Sequence, residues 1–136
     1  MTRTGAKKEV DENFWAGRLN MARDYRVAAE EALTLAEPGQ AMNPAISNIV
    51  LAAIAYNDAL TAKRAGVVNQ QDHGAAAKLL RAVMGSALPN AQLTRLNRIL
   101  GQKDEVQYGT RSASLDRAKA LFDDLSEFGN WVEAQL

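Results

Sequence analysis

Apolar residues recur at three- and four-residue steps along most of the chain, and Pro, Gly, Asn or Asp stands at the breaks. From Glu12 to Glu37, Trp15, Leu19, Ala22, Tyr25, Ala29, Ala32, Leu33 and Ala36 share one helix face, and Pro38-Gly39 stops the stretch. Asn43-Pro44 opens a second helix, because Asn can cap free amides and Pro suits the first turn. From Ala45 to Arg64 the apolar arc is wide (Ile46, Ile49, Val50, Ala53, Ile54, Leu60), which predicts the most buried helix of the set. Lys63 and Arg64 suit its C-terminal end and Gly66 its stop.

Asp72 begins a third helix with Leu79, Leu80, Val83 and Met84 on its apolar side, ended by Gly85. A fourth starts near Pro89-Asn90 and carries Leu93, Leu96, Ile99 and Leu100. Gly101 weakens or bends it just before Lys103. Ser112 or Ser114 caps a fifth, where Leu115, Ala118, Phe122, Leu125, Val132 and Leu136 keep a near-heptad rhythm, joined by Leu121, Phe128 and Trp131. No segment alternates apolar and polar residues for long, so no strand is expected. The reading is an all-α, up-and-down bundle of about five helices over residues 12–136, behind a polar, flexible N-terminus of residues 1–11.

Composition narrows the chemistry. A length of 136 residues fits one domain able to bury its own core. The absence of Cys excludes disulfides, thiolate catalysis and Cys-based zinc sites, and a single His, His73, excludes a multi-His metal centre within one chain. No cofactor or metal is expected. Basic and acidic residues balance at 16 each, so no global field draws the chain to nucleic acid or to an anionic membrane. The charged N-terminus is no signal peptide, and no run approaches the roughly 20 apolar residues of a membrane span. A soluble cytoplasmic protein is the expectation.

Four features bear on function. His73 can titrate near neutral pH, but it falls in the first turn of a predicted helix with no evident partner. Asp58, beside Tyr56 and Asn57 in the most apolar helix, must reach water or a cation. Lys63 lies off its face, so a partner from another helix is expected. Arg95, Arg98 and Lys103 give the fourth helix a basic side, without the aromatic ladder that single-strand stacking needs. Finally, QKDEVQYG, residues 102–109, places Lys103 and Tyr108 at a helix end, where an ammonium and a phenol can meet a phosphate and a base.

The segments AAIAYNDALTAKRAG, QQDHGAAAKLLRAVMG and LNRILGQKDEVQYG, with the closing A-x-x-L-F-x-x-L-x-x-F-x-x-W-V helix, resemble in their order a HEPN domain over roughly residues 43–136. That resemblance implies a small all-α bundle. Many members are metal-independent ribonucleases that carry an Arg followed four to six residues on by a His, and two chains pair to form one RNA-cleaving groove. Here Lys103 stands where the Arg would be, Asp104 is the polar follower, and Tyr108 replaces the His.

The replacements change the chemistry. Tyr titrates near pH 10 and carries protons poorly at neutrality, and Lys supplies the charge of Arg without its planar fork. The expectation is a non-catalytic HEPN-like homodimer that binds RNA, nucleotide or a partner protein through a groove at Lys103, Asp104 and Tyr108, with Asp58 facing it. The family's settings are toxin–antitoxin, phage-defence and stress systems. Two alternatives stand: a divergent metal-independent ribonuclease, and a helical adaptor whose interface is the nearly encircling apolar surface of the fifth helix.

Overall fold

A computed structural model describes residues 7–70, 72–103, 109 and 111–136, with His73 described by its backbone alone. Five α-helices run through the described residues: α1 Phe14–Thr34, α2 Asn43–Ala65, α3 His73–Met84, α4 Asn90–Leu100 and α5 Leu115–Gln135. A single 3-10 turn, Gly85–Ala87, links α3 to α4. The architecture is an all-α helical bundle, as the hydrophobic spacing predicts.

The helix ends follow local chemistry. Asp72 caps α3 by accepting a 3.1 Å hydrogen bond from the Ala75 amide, and Ser114 caps α5 through the Arg117 amide at 3.2 Å. Gly66 ends α2 at φ 67°, a left-handed conformation that a Cβ would strain. Helix α4 stops at Leu100. Gly101 and Gln102 form a turn, and Lys103 resumes helical backbone. The break expected before Lys103 is therefore present.

Helix α2 is the axis of the fold and touches α1, α3, α4 and α5. Its buried residues include the unbroken run Ala59, Leu60, Thr61 and Ala62, a pattern possible only for a helix enclosed on nearly all sides. By length and composition α2 is long and apolar enough to cross a membrane, yet most of its surface is buried against the rest of the bundle. The core it organises includes Leu19, Ile46, Ile49, Leu80, Leu96, Ile99, Leu125, Phe128 and Val132.

Two sequence expectations need correction. A two-stranded antiparallel ribbon exists, pairing β1 Lys7–Glu9 with β2 Val67–Asn69 in the register Lys8 opposite Val68. The Val10 amide extends it to the Gly66 carbonyl at 2.9 Å. The part of the N-terminus expected to be loose is thus tied, from Lys7 onward, to the end of α2. Three-residue strands are too short to show alternation, and only Val68 is buried, which is why the pattern hid them. The second correction concerns Asn43. It does not cap α2. Its amide nitrogen donates to the Arg111 carbonyl at 3.1 Å, and its oxygen accepts from the Ala113 amide at 2.8 Å.

Candidate functional site

The Asn43 clamp builds one end of the bundle. It holds segment 111–113 against the start of α2, and the Met42 amide adds a 3.0 Å bond to the Ala113 carbonyl. Ser114 then turns the chain into α5. The start of α2, the start of α5 and the turn after α4 meet around a pocket of about 220 Å³ lined by Asn43, Gln102, Arg111, Ser112, Ala113, Ser114 and Arg117. The Arg117 guanidinium donates to the Gln102 side-chain oxygen, which ties α5 to the α4 turn. Lys103 follows Gln102 directly and is half-buried.

The lining is cationic and hydrogen-bonding. The lining residues include two arginines, Arg111 and Arg117, and two serines, of which Ser114 is the N-cap of α5, the positive end of that helix dipole. Among these described lining residues there is no imidazole and no carboxylate. Such a set holds an anion well and moves a proton badly at neutral pH. Among the described residues no three His, Cys, Asp or Glu side chains cluster to hold a metal ion.

The residues anticipated from sequence scatter. Lys103 lies at this end. Asp104 and Tyr108 fall outside the described residues, so the Lys103–Tyr108 juxtaposition is not defined. Asp58 belongs elsewhere: it lies 15 residues beyond Asn43, about 22 Å along α2 at the helical rise. There it meets Arg18 of α1, with Nη2 to Oδ2 at 3.3 Å and 15% of the Asp58 side chain exposed. The cation from another helix is present, and it is on α1. Burial nonetheless pushes the Asp58 carboxyl up to about 6 against the opposing pull of Arg18. Lys63 is occupied differently, over the Trp15 ring at 4.3 Å from its centroid. His73 is the first residue of α3. Arg98 pairs with Asp124 of α5 at 3.6 Å.

Asn57 and Tyr56 also face inward. Asn57 is 1% exposed and donates to the Ala76 carbonyl at 3.3 Å, linking α2 to α3. Tyr56 is fully buried. Its hydroxyl donates to Glu133 at 2.9 Å and accepts from Arg26 at 3.2 Å, while Arg23 grips both Glu133 oxygens at 2.7 and 3.3 Å. The Arg23 hydrogen bond holds the Glu133 carboxyl below the usual carboxylate range, and burial raises Tyr56. This network ties α1, α2 and α5 together. The fifth helix spends its apolar girdle inside the monomer: Leu121, Leu125, Phe128 and Val132 are buried, and Phe122 and Trp131 pack against the same core.

Sequence reasoning missed Arg111 and Arg117. The signal was there, two arginines bracketing Ser112 and Ser114 just past QKDEVQYG, but the serines alone were read, as caps. No family model matches the chain, and no curated protein matches it.

Proposed function

We propose that this chain is a non-catalytic, HEPN-like protein that binds a phosphate-bearing ligand, RNA or nucleotide, at the end of the bundle where Arg111 and Arg117 line one pocket and Lys103 follows its lining residue Gln102. It acts as a homodimer whose grooves adjoin. The carrying observation is the 220 Å³ pocket lined by Arg111, Arg117, Ser112 and Ser114, where α5 begins. Guanidinium forks match phosphate oxygens in pairs, and serine hydroxyls and helix amides complete such a cradle. The same lining supports binding over cleavage, since RNA scission without metal needs a group that takes a proton from a 2′-hydroxyl near neutral pH. The HEPN resemblance supplies the settings: toxin–antitoxin, phage defence or stress response. A neighbouring nucleotidyltransferase-like gene would favour the first of these.

Fluorescence anisotropy with a labelled oligoribonucleotide and with a labelled nucleotide tests the reading. Affinity should fall at least about tenfold in the Arg111→Glu, Arg117→Glu double variant, and the salt dependence of RNA binding should weaken with it. Unchanged affinity in that variant refutes the site. RNA cleavage that persists in chelator and disappears in Tyr108→Phe or Lys103→Ala would make the protein a ribonuclease. A monomer by light scattering at tens of micromolar would remove the paired groove.

A further inference from the structure

The α3–α4 hairpin carries charge of one sign. Residues 73–103 hold Lys78, Arg81, Arg95, Arg98 and Lys103 and no Asp or Glu. The chain has 16 residues of each sign, so 11 basic and 16 acidic residues remain elsewhere. A neutral protein thus has a basic hairpin set on an acidic remainder.

Between the two helices runs a groove of about 340 Å³ lined by Gly74, Ala77, Lys78, Arg81, Leu93 and Asn97. The α3 residues fall at i, i+3, i+4 and i+7, and the α4 pair at i and i+4, so each helix offers one face. The floor is apolar: Ala77 is buried and Leu93 half-buried against the core. The rim residues Lys78, Arg81 and Asn97 are exposed. Among the described residues neither Lys78 nor Arg81 makes an ion pair, whereas Arg18, Arg23 and Arg98 each hold a carboxylate. Gly74 leaves one end of the groove open. A Cβ there would meet only the Asp72 carboxylate at 3.5 Å, so internal packing does not require the opening.

We propose that this groove docks an acidic amphipathic helix of a partner protein. A leucine-sized side chain enters between Ala77 and Leu93, and carboxylates on the same helix face pair with Lys78 and Arg81. Those two cations stand i and i+3 apart, a spacing that carboxylates at i and i+3 or i+4 of a facing helix can match. Nucleic acid fits less well, because the floor offers no aromatic ring on which a base could stack. The groove shares no lining residue with the pocket at Arg111 and Arg117, so the two sites can be disabled separately.

The test is anisotropy with a synthetic amphipathic peptide of about five helical turns, with Leu along one face flanked by Glu. A scrambled peptide of equal composition and an oligouridylate are run beside it. The ordered peptide should bind below about 100 µM, the scrambled one at least tenfold more weakly. Lys78→Glu with Arg81→Glu should also cost the ordered peptide at least about tenfold, and Gly74→Leu should weaken it without changing charge. Amide shifts on binding should centre on Gly74, Ala77, Leu93 and Asn97, and circular dichroism shows that each variant folds. Equal binding of the scrambled peptide, indifference to the charge reversal, or shifts elsewhere would overturn the proposal. So would a charge reversal that weakens oligouridylate alone, which assigns the face to nucleic acid. A wild-type dimer that the reversal dissociates makes the occupant a second copy, and overturns it too.

Discussion

Replacing Gly129 by Ala should destabilise the protein even though it improves the helix. Gly129 lies inside α5, where a Gly-to-Ala change alone is worth about 1 kcal/mol in favour of the helix. A Cβ at this position would sit 2.7 Å from Tyr56 Cε2, 2.9 Å from Cζ and 3.1 Å from Arg26 Nη1. The ring cannot slide away cheaply. It is fully buried, and its hydroxyl is held by Glu133 at 2.9 Å and by Arg26 at 3.2 Å. Overpacking of this kind costs about 1–3 kcal/mol, and a displaced hydroxyl adds about 1 kcal/mol more.

Packing therefore exceeds propensity, for a net loss on the order of 1–3 kcal/mol. Gly17 is the control. It lies in α1, and a Cβ there would meet nothing within 4 Å, so Gly17→Ala should gain up to about 1 kcal/mol. Urea unfolding followed by circular dichroism measures both. Melting should move by roughly 3–5 °C per kcal/mol in a chain of this size. A Gly129→Ala protein as stable as the wild type, or more so, refutes the claim that α5 and the Tyr56 ring are in contact through this glycine.

Three further outcomes are expected. Asp58 titrates near 6 when folded and near 3.8 when free, so the folded state binds its proton more tightly and stability falls as pH rises between these values. Relative to Asp58→Asn, the wild type should lose about 3 kcal/mol of stability in total across this range and level off above about pH 7, and superimposable profiles would refute it. Asp72→Ala removes the α3 cap and should cost about 1 kcal/mol in the same urea assay, against no change if the cap bond is absent in solution. Asn43→Ala breaks the clamp on segment 111–113 and should cost about 1–2 kcal/mol while weakening oligoribonucleotide binding. Lost stability with intact binding would separate the clamp from the pocket.

Helix placement, the start of α3 at Asp72, a serine cap on α5 at Ser112 or Ser114, the stop at Gly66 and the enclosure of α2 were all legible along the chain. Each rests on residues within a few positions of one another, because a helix satisfies its backbone hydrogen bonds locally and its apolar face repeats at a fixed period. The need of Asp58 for a cation was legible for the same reason, since an apolar stretch around a carboxylate declares the cost of burying it.

The identity of that cation was not. Arg18 lies 40 residues away, and only the crossing of α1 over α2 selects it. The same holds for the Val67–Asn69 partner of β1, for Asn43 reaching the Ala113 amide, for the convergence of Arg111 and Arg117 on one pocket, and for the separation of Asp58 from Lys103 along α2. The chain itself set where helices begin, end and turn an apolar face inward. Which polar side chains then meet depends on how those faces pack in three dimensions, and a one-dimensional pattern carries no term for that.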